Sequence, residues 1–219
     1  AKAGFQLRKW ASNCPSIVAD ESSGGKVIAE RDPRTLGLLW SAAEDCLSFA
    51  VNSLNQLRVT KRIILSEIAQ IFDPLGLVGP IIVRAKMLLQ QLWQLRLGWD
   101  ESVSQELHAQ WVHFRTDMQY VRNIKIPRSA RIERSKRVEL HGFVDASERA
   151  YGACIYLRTR SMSGEWKTRL LCAKSRVAPL RSVSLPRLEL CGAVLLAQLA
   201  EKVKTALNFP MAGELYYSD

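Results

Sequence analysis

The chain has 219 residues, of which 47% are hydrophobic and 24% charged, and its formal net charge is +10. That length and composition suffice for one or two ordinary hydrophobic cores. No apolar run reaches the length of a membrane-spanning helix and no signal-peptide pattern opens the chain, so we expect an intracellular protein without a membrane segment.

The cysteines narrow the class of protein further. There are five, an odd number, and none has the C-x-x-C spacing of a zinc site or redox motif. We therefore expect reduced, mostly buried thiols and neither a disulfide framework nor a zinc site. The first residue is Ala1 and not Met, so we also expect a fragment of a longer polypeptide.

The first block of the chain extends to about residue 56. Residues 5–13 are predicted to form a short helix and residues 20–26 a loop. Residues 34–40 and 45–51 have the composition of two strands joined by a short turn. This block is too small for a complete domain, so we expect it to be the end of one.

The second block, residues 60–120, is predicted to be helical. Apolar side chains recur at helical spacing over residues 61–72. The sequence DPLG at 73–76 then predicts a turn. A longer helix is predicted through residues 82–93 and a third over 104–120.

A strongly basic stretch is predicted to tether the helical block to the rest of the chain. Between residues 121 and 137 the net charge is +6, because seven basic residues accompany only Glu133. Such a segment attracts a polyanion, most often nucleic acid, but a solvated linker has the same composition. Charge alone does not separate these two interpretations. The basic residues are Arg122, Lys125, Arg128, Arg131, Arg134, Lys136 and Arg137.

The third block begins near Val138. Residues 138–145, 151–157 and 167–173 are predicted strands, the first two forming an antiparallel pair. A helix over 185–207 and a strand over 214–218 follow. A helix between two strands permits parallel pairing through a right-handed crossover. If the last strand lies beside the first, Asp145 and Asp219 come together at adjacent strand ends, where open α/β sheets place their sites.

Three carboxylates stand out in this third block: Asp145, Glu189 and Asp219. Acidic groups held close together repel one another unless a cation is present, so the set predicts a divalent-metal site. No His pair offers an alternative, because His108 and His113 are five residues apart and not at the i, i+4 spacing of a helical metal site.

Glu189 can be positioned by helix geometry. At about 100° per residue, the polar residues of 198–204 are centred roughly opposite Glu189, which shares its face with Ala193, Leu196 and Ala200. A carboxylate on an apolar face needs a partner, and a metal ion is a suitable one. A first-turn glutamate favoured by the helix dipole, with Ser184 as N-cap, also explains the position. The combination with the two aspartates favours the metal.

At these residues the chain resembles the ribonuclease H domain of a retroelement polyprotein. FVDAS at 143–147 followed by AYGA at 150–153 resembles its opening hairpin, LPRLEL at 185–190 its glutamate helix and YYSD at 216–219 its second aspartate strand. Upstream, LRKWASN at 7–13, TLGLLW at 35–40 and FDPLGLVGP at 72–80 resemble BEL/Pao-type retrotransposons, where reverse transcriptase gives way to ribonuclease H. The match covers nearly the whole chain in colinear order.

The resemblance implies three regions and a mixed fold of α/β and α parts. Residues 1–56 correspond to the end of the reverse transcriptase palm with a short β-hairpin, and 57–137 to a helical thumb/connection region with its basic linker. Residues 138–219 correspond to the N-terminal part of a ribonuclease H-like domain, a partial mixed sheet with a crossover helix. The polymerase's paired aspartates and a fourth nuclease acid are absent from this chain, so we expect the fragment alone neither to polymerise DNA nor to cleave.

The activity that the resemblance implies for the intact protein is hydrolysis of RNA in RNA–DNA hybrids. Two Mg²⁺ ions about 4 Å apart, replaceable by Mn²⁺, would activate water and stabilise the leaving 3′ oxygen. Asp145 would bridge both ions, Glu189 would hold the ion nearer the leaving group, and Asp219 the ion carrying water. The expected nucleic-acid-binding residues are Arg84, Lys86, Arg128, Arg131, Arg134, Lys136, Arg137 and Lys174.

The resemblance also implies partners and a place of action. Nucleic acid and the remainder of the Pol polyprotein are the expected partners, without a membrane. The cytoplasm or a virus-like particle is the expected location, with the nucleus as an alternative.

Two other functions compete with the nuclease. The 72–80 region also resembles a family named for a Pao retrotransposon aspartic peptidase, but such an enzyme needs an Asp-Thr/Ser-Gly loop and no such triplet occurs here. The second alternative is a non-catalytic remnant that binds nucleic acid through its basic connector. Salt-sensitive binding without metal-dependent cleavage would identify that case.

Overall fold

The computed structural model describes residues 11–14, 16, 34–35, 38–50, 58–130, 135 and 137–219. The predicted loop at 20–26 and most of the predicted helix at 5–13 lie outside these ranges. Within them, two four-stranded sheets flank a group of three helices, and a fourth long helix packs on the second sheet. No helix in these ranges is long and apolar enough to cross a membrane.

The first sheet is small and antiparallel. Its strands, in the spatial order β1-β2-β3-β4, are β1 (Arg34–Thr35), β2 (Leu38–Ser41), β3 (Cys46–Phe49) and β4 (Ile126–Pro127). The predicted turn between the two strands of the first block is confirmed, but the single strand predicted at 34–40 is wrong, because β1 folds back and pairs with β2. The tether predicted for the basic stretch is also wrong in part, since β4 adds to β3.

Three helices pack with this sheet around one core. They are α1 (Lys61–Ala69), α2 (Gly79–Gln94) and α3 (Gln105–Met118), which continues into a 3-10 helix, Gln119–Asn123. The hydroxyl oxygens of Thr60 and Ser104 accept capping hydrogen bonds at the starts of α1 and α3. Leu38 and Phe49 of the hairpin are buried in the same cluster as Trp111 of α3. The hairpin is therefore held by the helices that follow it.

The second sheet has the predicted mixed topology. Its strands, in the spatial order β7-β6-β5-β8, are β5 (Arg137–Ala146), β6 (Ala150–Arg160), β7 (Trp166–Val177) and β8 (Gly213–Tyr217). The pairing of β5 with β8 is parallel and that of β5 with β6 antiparallel, as predicted, and β7 adds to β6 in an antiparallel pairing. The fourth helix, α4 (Leu185–Leu207), has the predicted bounds and connects β7 to β8.

Side-chain alternation in β5 assigns the two faces of this sheet. A Cβ atom at Gly142 would lie 2.8 Å from Leu196 Cδ1 of α4, so Gly142 faces that helix. Val144 faces α4 as well, because a Cβ atom at Gly192 would lie 2.7 Å from Val144 Cγ2. Successive strand residues point to opposite faces, so Phe143 and Asp145 face away from α4.

Candidate active site

Asp145 and Asp219 are brought together by the parallel pairing of β5 and β8. The register pairs Glu139 with Gly213 and Phe143 with Tyr217, the last pair of the ladder, and each aspartate follows its member of that pair by two residues. Both aspartates are exposed and line one open cleft of about 530 Å³. The predicted proximity of these two carboxylates is therefore present.

The cleft is lined from two parts of the chain. Phe143, Cys154 and Ser175 contribute from the sheet, and Lys174, which is exposed, adds a positive charge. Three residues of α2 also line the cleft, and these are Gly79, Pro80 and Val83. Sequence reasoning assigned α2 to a separate helical region and did not anticipate its place beside the two aspartates.

The turn after Asp145 is fixed by local hydrogen bonds. The backbone N–H of Ala146 donates to Asp145 Oδ1 at 2.7 Å, which orients that carboxylate. The Ser147 hydroxyl oxygen accepts from the N–H of Ala150 at 3.2 Å and donates to the Ala150 carbonyl at 3.0 Å. Ser147 thus shapes the β5–β6 hairpin, and the FVDAS motif combines a candidate ligand with the residue that builds its turn.

Glu189 is not among the residues that line this cleft. It lies in the second turn of α4, on the helix that packs against the other face of the sheet, and it is exposed. Of the apolar face predicted for it, Leu196 is buried but Ala193 is exposed. The helix passes close to β5 one turn later, where a Cβ atom at Gly192 would lie 3.8 Å from the carbonyl oxygen of Asp145. The structure therefore joins two of the three predicted carboxylates and leaves Glu189 near the end of the strand but outside the cleft.

The metal-binding capacity of the site follows from this arrangement. In the ranges that the structure describes, no group of three or more His, Cys, Asp or Glu side chains is placed to hold a metal ion. The aspartate pair alone offers carboxylate oxygens, the donors that Mg²⁺ prefers, with open space for water ligands. In donor chemistry the pair fits a hard divalent cation.

The predicted nucleic-acid-binding residues fall into three groups. Arg84 and Lys86 on α2 and Lys174 at the cleft are exposed. Arg128 and Arg137 instead make ion pairs within the chain, Arg128 Nε with Asp45 Oδ1 at 2.6 Å and Arg137 Nε with Glu139 Oε1 at 2.8 Å. The remaining three, Arg131, Arg134 and Lys136, lie outside the described residues.

Arg137 belongs to a charge cluster around the buried Glu139 that the sequence did not reveal. Glu139 is 7% exposed and also lies 3.4 Å from His141 Nε2 and 3.5 Å from Arg158 Nη1. A buried carboxylate is stable only when such partners neutralise it. The ion pair with Glu139 therefore makes Arg137 less available to a nucleic acid than its place in the basic stretch indicates.

The five cysteines are free thiols, and they are not mostly buried. Cys172 is buried, and burial raises the pKa of its thiol to about 11. Burial also raises the pKa of the Cys154 thiol in the cleft floor. Cys46 and Cys154 are half-buried and Cys14 and Cys191 are exposed, so the expectation that the thiols are mostly buried is wrong.

Residues 60–219 match the family model described as the Pao retrotransposon-like RNaseH-like domain, and the chain belongs to that family. The predicted resemblance to a retrotransposon ribonuclease H-like region is thereby confirmed.

Two solved structures are similar to this chain. One is the foamy viral protease-reverse transcriptase dRH in complex with double-stranded DNA, with 14% identity and a TM-score of 0.48, covering 88% of this chain and 31% of that chain. The other is the foamy viral protease-reverse transcriptase in complex with double-stranded DNA, with 12% identity and a TM-score of 0.43, covering 85% of this chain and 36% of that chain. The chain thus spans about a third of the length of these proteins. No curated protein matches the sequence.

Proposed function

We propose that the intact protein hydrolyses the RNA strand of RNA–DNA hybrids and that this chain carries part of the nuclease site. The observation that carries the proposal is the placement of Asp145 and Asp219 in one cleft by the parallel register of β5 and β8. In a member of an RNaseH-like family, paired acids at adjacent strand ends are the expected start of a metal-dependent phosphodiesterase site.

The two aspartates have a defined chemical role in this proposal. Two exposed carboxylates repel each other and repel a phosphodiester, so each needs a cation before a nucleic-acid strand can approach. Mg²⁺, or Mn²⁺ in its place, would supply an activated water and charge stabilisation for the leaving 3′ oxygen. Asp145 and Asp219 would hold it, and the N–H of Ala146 would keep the Asp145 carboxylate in its orientation.

Glu189 is the candidate for the third carboxylate. It precedes by one helical turn the position where α4 packs against β5, so it is the nearest acid that α4 offers to the end of that strand. The Glu189 side chain is exposed, so no burial against other residues prevents it from turning toward the site. We propose that it completes the site when metal and substrate are bound in the intact protein.

Substrate binding is proposed to use the exposed basic residues near the cleft. Lys174 lines the cleft, and Arg84 directly follows Val83, which also lines it. Such contacts reach the sugar–phosphate backbone and give affinity without sequence preference. The remaining parts of a Pol polyprotein are the proposed partners, and support of reverse transcription is the proposed role.

Cleavage of a labelled RNA–DNA hybrid in magnesium tests the proposal. The assay compares the chain extended past Asp219 with its Asp145→Asn variant, which keeps the shape of the side chain and removes its charge. Metal-dependent cutting of the RNA strand that is lost in the variant is the expected result. Equal cutting by both proteins would remove Asp145 from the mechanism.

A non-catalytic nucleic-acid-binding role is the second candidate, favoured by the position of Glu189 outside the cleft. It predicts salt-dependent binding of the hybrid and no cutting by the extended, folded chain at any magnesium concentration. The same assay, with binding followed by fluorescence anisotropy, separates the two functions.

A further inference from the structure

The turn before α2 docks on the edge of the second sheet. The backbone N–H of Ala173 in β7 donates to the carbonyl oxygen of Leu75 at 2.8 Å. From α2, Gln90 Nε2 donates to the carbonyl oxygen of Ala178 at 2.6 Å. β7 is the edge strand of its sheet, and an edge strand normally has backbone N–H and C=O groups without a partner strand. Here the turn supplies a partner for the N–H of Ala173.

The geometry of the turn is built into its sequence. Asp73 accepts hydrogen bonds from the N–H of Leu77 at 2.8 Å and the N–H of Val78 at 2.9 Å, one on each carboxylate oxygen. Gly76 has a φ of +72°, and a Cβ atom there would lie 1.8 Å from the carbonyl oxygen of Ala173. Only glycine satisfies both the backbone conformation and the close approach.

Docking of this turn determines where the start of α2 lies. Gly79 follows the turn directly, and the Ser175 hydroxyl donates to its carbonyl oxygen at 3.5 Å. Gly79, Pro80 and Val83 consequently line the cleft that contains Asp145 and Asp219. The cleft is thus formed jointly by the sheet and by a helix that ends at Gln94, well before the sheet begins at Arg137.

We propose that the start of α2 is a wall of this cleft that contacts the nucleic-acid strand, and that Asp73 and Gly76 are positioning residues for it. The inference rests on the proposed function for the identity of the strand. In this arrangement the helical region acts on the substrate at the cleft itself, through Val83, and does not serve only as a spacer between the parts of the polyprotein.

A charge inserted in the wall tests the contact directly. Val83→Lys places a cation in the cleft, whereas Gln94→Lys adds the same charge to an exposed position at the far end of α2. Both are made in the 219-residue chain carrying Asp145→Asn, and binding of a labelled RNA–DNA hybrid is measured across salt concentrations. The slope of the logarithm of the binding constant against log[salt] should be steeper by about one unit in Val83→Lys than in the protein with Val83. Gln94→Lys should change that slope less. Equal effects of the two variants would overturn the proposed contact.

The role of the turn is tested by Gly76→Ala, with Gly164→Ala as its matched control. Gly164 also has a positive φ, +92°, but a Cβ atom there meets only the Arg160 guanidinium at 3.7 Å, so the control carries the backbone strain without the clash. Hydrogen exchange at the Ala173 amide reports docking, because that N–H is protected by Leu75. We expect faster exchange at Ala173 and a hybrid Kd weakened about tenfold or more in Gly76→Ala, and neither change in Gly164→Ala. Exposure of the Ala173 amide with an unchanged Kd would overturn the positioning role.

The outcomes separate this inference from the proposed nuclease. If the extended chain does not cut RNA, the proposed nuclease function is wrong. The binding tests on Val83 and Gly76 would still decide whether the start of α2 contacts the nucleic acid. If the extended chain cuts RNA but neither variant changes binding, the proposed nuclease function stands and the proposed contact with α2 is wrong. If Gly76→Ala does not fold, the Val83→Lys comparison decides the question by itself.

Discussion

Gly192 of α4 packs directly against Val144 of β5, so closely that a Cβ atom at Gly192 would lie 2.7 Å from Val144 Cγ2. Valine is branched at Cβ and has little rotamer freedom with which to move aside. The absence of a side chain at Gly192 therefore allows α4 to approach the strand that carries Asp145. This contact sets the distance between the Glu189 helix and the end of β5.

Gly192→Ala is expected to push α4 away from β5. Overpacking in a core costs about 1–3 kcal/mol, against about 1 kcal/mol that alanine contributes to a helix interior. We expect a net loss of up to about 2 kcal/mol in the free energy of unfolding, measured by urea denaturation. Cys191→Ala, an exposed neighbour on the same helix, serves as control and should change stability little. A Gly192→Ala protein more stable than the wild type would contradict the close packing.

Lys174 and Arg128 are expected to differ in their effect on nucleic-acid binding, although both are basic and exposed. Lys174 lines the cleft, whereas Arg128 is bound to Asp45 and lies over the Trp40 ring. Lys174→Ala should weaken hybrid binding and lower the salt slope by about one. Arg128→Ala should lower the free energy of unfolding and leave the slope nearly unchanged. A larger binding loss for Arg128→Ala would show that the ion pair opens to meet the ligand.

The Asp45–Arg128 pair makes a pH-dependent contribution to stability. The hydrogen bonds from Arg128 hold the pKa of the Asp45 carboxyl below its usual range, and Trp40 Nε1 donates to the same carboxylate at 3.0 Å. Since the folded pKa is lower than the unfolded one, the contribution is complete above the unfolded value and is lost as the pH falls through the folded value. For this partly exposed pair we expect no more than about 1 kcal/mol at neutral pH.

Asp45→Asn isolates that contribution, because asparagine tolerates the positive φ of 50° at this position. The difference in unfolding free energy between wild type and variant, from urea titrations, should be present at pH 7 and shrink below about pH 4. A difference that stays constant down to pH 3 would mean that the ion pair is not its source.

Removal of the divalent ion from the extended chain used in the cleavage assay should abolish cleavage without unfolding the protein. Asp145 and Asp219 are exposed, and the buried cluster beneath them is built from apolar residues such as Leu140 and Ile155. A chelator is therefore expected to stop hydrolysis of the hybrid and leave the Tm nearly unchanged. Added magnesium should raise the Tm only through its binding equilibrium. A fall in Tm of more than about 5 °C on chelation would indicate a structural metal, since such a fall corresponds to roughly 2 kcal/mol in a chain of this length.

The fold of the second sheet was predictable because its signals are local and agree with one another. α4 has apolar residues at helical spacing, and Asn208, whose φ is +45°, caps its C-terminal end. A strand on each side of such a helix leaves a right-handed parallel crossover as the favoured connection. The proximity of Asp145 and Asp219 follows from that topology only if the last strand lies beside the first, and the structure has this order.

Other features were not predictable because they depend on contacts distant in sequence. The docking of Leu75 on Ala173 joins residues 98 positions apart, and DPLG at 73–76 by itself predicts only a turn. The ion pair of Arg128 depends on Asp45, far upstream, so the basic stretch looks uniformly available when only its composition is read. The helical period correctly predicts that Leu196 and Ala200 lie on the buried face of α4. Glu189 lies nearer the start of the helix, beyond the part of that face that β5 covers, and it is exposed.

The docked turn at Ala173 also limits how this protein can associate with itself. Sheets grow into fibres only when a free edge is available on each side, because every added strand must present another. Here the β7 edge is obstructed at Ala173 by Leu75 of the same chain, while β8 pairs with β5 alone among the described strands. Two copies that pair edge to edge at β8 therefore leave outward only the two β7 edges, each obstructed at Ala173, and this disfavours growth of the sheet beyond that pair.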